Sequence, residues 1–389
     1  MKLYFETSAG HLHKQGEELC GDKIEIVKRE DKTYLVLADG LGSGVKANIL
    51  ASLTSKIVAT MFTQGAELED VVETIASTLP VCSERKLAYS TFTFLELDVE
   101  GNAYLVEYDN PPMLWLRHGR VLEIPYEERT VAGKRIRQAR FAIQAEDVFV
   151  LMSDGVTHAG LGNLLAMGWK RDNVARYLQT ASQRDSSPRT LQALLLQACK
   201  SLYQGQIRDD ASVCVCRARI PSQTCVMVGP PQDRSEDEVL VQRLLAFDGQ
   251  KVVCGGTTSK IVSRVTGKEL EIQLDYISPE VPPVAKLEGI DLVTEGIITM
   301  QHALELIRAY AHDEPGRDQV LCQGRDGAHL LAQCLVQNST SITFMVGRAL
   351  NPAYDVPGMP LDLTLKLRLV RDMAKCLREL DKQVTLEFH

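Results

Sequence analysis

Around residues 218–223 the pattern of apolar segments changes, and this change constrains the fold more than any single residue does. Before it, apolar or alternating runs follow one another at 3–8, 23–28, 34–38, 90–97, 103–108, 113–117, 148–152 and 212–217, rich in the β-branched and aromatic residues that favour strands. Helical spacing intervenes at 45–62 and 68–79, then in a block from 163 to 203 in which Pro188 suits a first helical turn. After Ile220-Pro221, short strands at 224–229, 251–254, 290–293, 342–346 and 384–388 alternate with helical stretches at 235–247, 259–265, 297–310 and 361–380. Grouped strands with paired helices predict stacked sheets covered by helices, an α+β arrangement. The later alternation predicts a doubly wound, mainly parallel α/β sheet. The expected domains are 1–220 and 224–389.

Bulk properties narrow the function. A length of 389 residues favours two domains, and 45% hydrophobic with 24% charged residues is ordinary for globular proteins. The net charge of −8 argues against a nucleic-acid surface, which needs Lys and Arg to meet phosphates. The ten cysteines form no Cys-x-x-Cys pair and read as small buried hydrophobes in a reducing compartment. The first residues lack an apolar signal core, and no run approaches the roughly 18 apolar residues of a membrane span. A cytoplasmic protein without a membrane role is expected.

Three acidic positions stand at the ends of apolar strands. Residues 34–38 run into Asp39-Gly40, residues 148–153 run into Asp154-Gly155, and Asp209-Asp210 precedes the strand at 212–217. Asp-Gly by itself is a common turn. The other two instances, at 248 and 326, read as a helix stop and a loop. The combination of three acidic rims is more specific, because carboxylates fixed at strand ends offer the oxygen ligands that Mg²⁺ and Mn²⁺ prefer. Gly40, Gly42 and Gly44 allow a tight turn and a carbonyl directed at a cation. The helix starting near residue 45 would point its N-terminal dipole at this loop and favour phosphate. The spacing fits neither the dinucleotide fingerprint nor the P-loop.

These residues carry a resemblance. Cys20-Gly21-Asp22, residues 38–44, Ala88-Tyr89-Ser90-Thr91, Asp109-Asn110-Pro111-Pro112, Ser153-Asp154-Gly155 and residues 208–212 resemble, in order and separation, the motifs of the metal-dependent type 2C Ser/Thr phosphatases. The bacterial subgroup typified by stage II sporulation protein E is nearest. The resemblance covers residues 1–218. It implies a β-sandwich flanked by helices, with two Mn²⁺ or Mg²⁺ ions at one end. Asp39 would bridge the ions, the Gly40 carbonyl would bind one, and Asp154 and Asp209 would complete the other ion's shell, with Asp22 reaching the cluster directly or through water. Asp210 would orient its neighbours. It further implies in-line hydrolysis of phosphoserine or phosphothreonine by a hydroxide held between the ions, in bacterial signalling. An anti-anti-sigma-like phosphoprotein is the subgroup's precedent as substrate, and a switch role for the helices of 45–80 follows by the same analogy.

The chain departs from that pattern at Asp109-Asn110, where many relatives have Gly-His, and no counterpart of the phosphate-binding arginine stands out in residues 11–14. His11, His13 and Lys14 read as solvated strand-end residues before phosphate contacts. Asp98, Asp147, Asp172 and Asp185 read as caps, turns or surface groups, and His302, His312 and His329 as surface or capping residues. His158, four residues past Asp154, is read as off the site, with an approach to it left open. A non-catalytic scaffold on a phosphatase fold and a hydrolase of small phosphorylated metabolites are the competing functions.

Residues 224–389 resemble no family with known chemistry. Their glycine-bearing loops at 229–231, 255–260, 294–296 and 347–348 each follow a strand, so a parallel sheet would gather them on one edge. Gly255, Gly256, Thr257, Thr258 and Lys260 form the candidate ligand loop, with a small anion or phosphorylated molecule as the expected guest and ligand sensing as the expected role.

Overall fold

A computed structural model of the protein describes residues 2–78, 90–273, 280–311, 321, 324–349 and 361–389, with the side chains of 361–364 left aside. It divides into two compact units, Met1–Ile220 and Pro221–His389.

The first unit is built on two antiparallel sheets. One takes β1 (Tyr4–Leu12), β6 (Leu114–Arg117), β7 (Arg120–Leu122), β10 (Asp147–Met152) and β11 (Ala211–Arg219) in the order β1-β11-β10-β6-β7. The other takes β2 (Asp22–Lys28), β3 (Lys32–Gly40), β4 (Ser90–Asp98), β5 (Asn102–Tyr108), β8 (Glu127–Val131) and β9 (Lys134–Ala142) in the order β2-β3-β4-β5-β9-β8. Strand periodicity decides the layers. Leu35, Leu37, Leu95 and Leu105 turn inward and meet Phe149, Leu151, Cys214 and Cys216 of the facing sheet. Their neighbours Val36, Ala38, Phe92 and Phe94 turn outward under α1 (Gly44–Thr63) and α2 (Leu68–Thr78). There Phe62 stacks on Phe94 with ring centroids 4.0 Å apart. On the other outer face Val148, Val150, Val213 and Val215 pack beneath α4 (Arg171–Ser182) and α5 (Pro188–Leu202). The central strands β3, β4, β5, β10 and β11 thus bury both faces, which is why these runs read as nearly continuous apolar segments. Each large side chain so buried contributes roughly 1.5–3 kcal/mol.

Several expectations are corrected. β7, β8 and β9 have no counterpart in the sequence reading, because β9 alternates Lys, Arg and Gln with few apolar residues and fully buries only Ile136 and Ala139. The helical block begins at Arg171 rather than 163; residues 161–170 form turns. A one-turn helix, α3 (Asp154–Thr157), starts at the second Asp-Gly pair. Asp147 is not a surface group. It is fully buried, and its carboxylate accepts both Nε–H and Nη2–H donors of Arg117, at 2.6 and 2.7 Å.

The second unit holds β12 (Gln223–Val228), β13 (Gln250–Cys254), β14 (Glu271–Ile272), β15 (Ala285–Leu287), β16 (Ile290–Thr294), β17 (Ser341–Val346) and β18 (Gln383–Phe388), ordered β14-β15-β16-β13-β12-β17-β18. The five strands from β16 to β18 in that order are parallel, and β14–β15 append antiparallel at one edge. Cys225 and Met227 point to the face covered by α6 (Asp237–Leu245) and α7 (Gly256–Thr266). Val226 and Val228 point to the face covered by α8 (Ile297–Ala311) and the helices Gly327–Val336 and Leu361–Glu379. Asp326-Gly327, expected as a loop, starts a helix instead: the Asp326 carboxylate accepts the N–H groups of Ala328 and His329, a side-chain N-cap. The eight cysteines among the described residues are all buried and free.

Candidate metal centre

Register brings the acids of the first unit together. Asp22 opens β2 directly opposite Asp39 on β3, and Asp39 in turn faces Thr91 on β4. In the facing sheet Met152 pairs with Val213, so Asp154 follows β10 at the end where Asp209 and Asp210 precede β11. Both sheets therefore deliver carboxylates to one rim. Asp39 feels the charges of Asp22, Asp154, Asp209 and Asp210 together.

Two backbone approaches make the rim this tight. A Cβ on Gly40 would lie 2.0 Å from the Ala47 carbonyl oxygen, and one on Gly155 would lie 2.1 Å from that of Asp210. Neither glycine can be replaced without moving backbone.

Polar side chains beneath the rim fix its strands. Asn110 is buried, accepts the Thr91 hydroxyl at 2.5 Å, and donates to Thr93 Oγ1 and the Leu37 carbonyl. The Asp-Asn departure from the family pattern thus places a strand-locking amide behind Asp39. Asp210 spends both oxygens on backbone donors, the Lys14 N–H at 2.9 Å and the Gly21 N–H at 2.7 Å. It holds the loop that carries Asp22. The Ser153 hydroxyl accepts the Ser212 N–H at 2.9 Å, and the Ser153 N–H donates to the Ser212 carbonyl. The Tyr203 hydroxyl donates to the Gly155 carbonyl. Asn110, Ser153 and Ser212 lie within the motifs that carry the resemblance but had no role of their own there, and Tyr203 stood in no motif.

The electrostatics are those of a site short of positive charge. Burial, then repulsion from Asp22, Asp154 and Asp209, pushes the Asp39 carboxyl up to about 9. Burial pushes Asp22 to about 7, and hydrogen bonds from Ser153 and Ser212 only partly offset it. Asp209 is raised too, by burial and the Asp154 charge. Asp22 Oδ2 is buried without a hydrogen-bond partner among the described residues, an orphan that costs stability unless a cation meets it. An all-oxygen set of this kind suits a hard divalent ion. The residues present fit the group that the resemblance implies.

Asp154, Asp209 and His158 each offer one ligand atom, and these lie within 4.8 Å of one another. His158 Nδ1 is 3.7 Å from Asp154 Oδ2. His158 is therefore at the site, against the favoured expectation. The signal is its four-residue spacing from Asp154, noted in the sequence and carried across α3 and the turn that follows. His11 and His13 are exposed, with rings in edge contact 4.6 Å apart. The anion expected at the start of α1 is supplied by the chain itself. The Ser43 hydroxyl donates to Glu17 at 2.8 Å, and a Cβ on Gly44 would meet Glu17 Oε2 at 2.4 Å.

The remaining candidates lie elsewhere. Ala88, Tyr89 and His312 fall outside the described residues. His302 pairs with Glu305, and His329 with Asp326. Gly255, Gly256, Thr257, Thr258 and Lys260 stand at the junction of β13 and α7 in the second unit. No helix among the described residues is long and apolar enough to cross a membrane.

Residues 29–219 match the family described as Stage II sporulation protein E (SpoIIE). Among curated proteins, the chain is 22% identical over 217 residues to stage II sporulation protein E of Priestia megaterium, covering 54% of this chain and 36% of the relative. It is 22% identical over 220 residues to that of Bacillus subtilis, covering 54% and 25%. The chain thus spans about a third and a quarter of these relatives. Among solved structures, the phosphatase domain of SpoIIE from Bacillus subtilis is similar at a TM-score of 0.44 and 21% identity, covering 56% of this chain and 93% of that one. A second Bacillus subtilis structure, with a fragment of the regulatory domain, gives 0.48 and 20%, covering 56% and 63%.

Proposed function

Because residues 29–219 belong to the stage II sporulation protein E family, a metal-dependent phosphatase family, we propose that this chain removes phosphate from phosphoserine or phosphothreonine of a protein partner. The observation that carries this reading is the buried acidic rim, with Asp39 raised to about 9 and Asp22 Oδ2 orphaned.

Asp39, Asp154, Asp209 and the Gly40 carbonyl would hold two Mn²⁺ or Mg²⁺ ions, with Asp22 as an outer member. When bound, such ions supply an activated water and neutralise charge on the phosphoryl group. The protein's own residues do the rest. Asp22 and Asp39, locked opposite each other, set the spacing of one half of the site. Asp210 and the Ser153–Ser212 pair fix the other half relative to it. His158, half exposed beside Asp154, would give a proton to the departing hydroxyl oxygen of the substrate. Signalling through a phosphoprotein is the role that suits this family.

The test is phosphate release from a phosphoserine peptide with Mn²⁺ present. Wild-type chain should turn over, and Asp39→Asn and Asp154→Asn should each lose activity. Retained activity in either variant contradicts the assignment. Equal turnover on free phosphorylated metabolites would redirect the substrate class.

A further inference from the structure

The second unit carries an unassigned rim of its own. β13 ends at Cys254, and Gly255 takes a φ of +121°, which side-chain-bearing residues avoid. α7 begins at once. No side chain among the described residues caps it, so the N–H groups of its first turn can meet an acceptor. Gly256 and Thr257 in that turn are exposed.

A helix start alone decides nothing, but a second observation points to a guest. Thr258 is 1% exposed, and its hydroxyl has no hydrogen-bond partner among the described residues. The hydroxyl looks back over the loop: a Cβ on Gly255 would stand 3.0 Å from Thr258 Oγ1. A buried hydroxyl left unpaired is costly and uncommon in a native chain. It sits beside the uncapped N–H groups, where an incoming acceptor would satisfy both.

The adjoining loop supplies the opposite polarity. The Gly255 N–H donates to the Thr294 carbonyl at 3.0 Å, and a Cβ on Gly296 would lie 3.4 Å from Gly255 Cα, so the β13–α7 and β16–α8 loops are laced together. Between those contacts, Glu295 keeps Oε2 buried and unpaired among the described residues. Its charge reaches the buried Cys254 thiol, which burial chiefly and Glu295 in part push up to about 12. A guest must therefore present an acceptor to the helix start and a donor to Glu295.

We propose that the junction of β13–α7 with β16–α8 binds a phosphorylated sugar, free or within a nucleotide, with phosphate on the first-turn N–H groups of α7 and the Thr258 hydroxyl, and a sugar hydroxyl on Glu295. Oxygen anions at uncapped helix starts and ligands at the C-terminal edge of parallel strands both follow general rules. Inorganic phosphate would satisfy only half of the site, and a sugar without phosphate only the other half.

The test uses the full chain carrying Asp39→Asn, with EDTA present, so that the first unit neither turns over nor holds metal. Ribose 5-phosphate, AMP and inorganic phosphate are titrated separately by calorimetry. Saturable binding of ribose 5-phosphate or AMP, tighter than that of inorganic phosphate, is expected; the tighter of the two identifies free sugar phosphate or nucleotide as the source. Gly256→Pro removes one N–H at a position where proline suits a helix start, and nothing lies within 4 Å of a Cβ there. It should weaken binding about tenfold with an unchanged melting temperature, the loss expected for one charge-assisted hydrogen bond. Thr258→Val should weaken it similarly, and Thr258→Ser should restore it. Glu295→Gln should weaken the sugar phosphate and leave inorganic phosphate unchanged. No saturable heat with any probe at roughly 10 mM, far above the range of useful affinities, overturns the proposal. Binding unaltered in both Gly256→Pro and Thr258→Val also overturns it, and inorganic phosphate binding as tightly as the sugar phosphates overturns its sugar half.

Discussion

In the first unit the strand ends carry carboxylates, whereas in the second they carry glycines, a buried hydroxyl and an uncapped helix. The contrast follows from sheet direction. In an antiparallel sandwich one rim mixes the starts and ends of strands, so Asp22 before one strand and Asp39 after the next become direct neighbours. Asp154 and Asp209 repeat this arrangement across the facing sheet. The start of α1 does not offset their charge, since Glu17 already meets it. In the parallel strands of the second unit the chain leaves by one edge, where β13 and β16 feed α7 and α8, so N–H groups gather there. On the readings proposed above, one rim takes a cation and the other an anion, although both lie at the ends of similarly buried strands.

The contrast breaks most sharply at Asp39. Asp39→Asn should lower Mn²⁺-dependent turnover by about a thousandfold, while the second-unit affinity for a sugar phosphate stays the same. A joint loss of both would mean that the two rims do not act separately. Next comes Asp210, whose oxygens hold two backbone N–H groups. Asp210→Ala should destabilise the first unit by about 2–4 kcal/mol in denaturant melts, because hydrogen bonds to a charged acceptor are among the stronger ones. A change under about 0.5 kcal/mol, the size of an ordinary surface substitution, would demote it to a bystander.

Saturating Mn²⁺ should then stabilise the metal-free chain by about 2.7 kcal/mol at a hundredfold excess over Kd, seen as a higher melting temperature that EDTA reverses. The pH dependence sharpens the same point. Asp39 and Asp22 have folded values of about 9 and about 7, against an ordinary 3.8. Between those limits the metal-free folded chain holds more protons than the unfolded chain, so these groups cost stability as pH rises through the interval. Melting temperature without metal should fall from pH 5 to pH 8, and Mn²⁺ should flatten that slope. A rise over the same range would contradict the electrostatic reading. The smallest effect belongs to His158→Gln, a few-fold loss of turnover on the phosphoserine peptide.

Much of this was legible in the residues. The strands that bury both faces announce themselves as apolar runs, and three acids at their rims stand out because charge seldom ends such runs by chance. What escaped notice was structure that buries little. The β8–β9 hairpin alternates charges on an exposed face, and α3 is a single turn too short for any period to register. Asn110, Ser153 and Ser212 act by locking register between strands distant in sequence, which no local pattern encodes. Asp326-Gly327 misled because the dipeptide serves turns and N-caps equally, and only Asp326's hydrogen bonds to Ala328 and His329 distinguish them.

Calorimetric titration of Mn²⁺ into the metal-free chain at pH 7, repeated in buffers of different ionisation heat, reads the acidic rim most directly. Asp39, held at about 9, is protonated there and must lose its proton to become a ligand. Saturable binding with release of about one proton, absent in Asp39→Asn, is the expected result. Binding without proton release, or no saturable binding at all, would contradict the claim that this rim is a metal centre waiting for its charge.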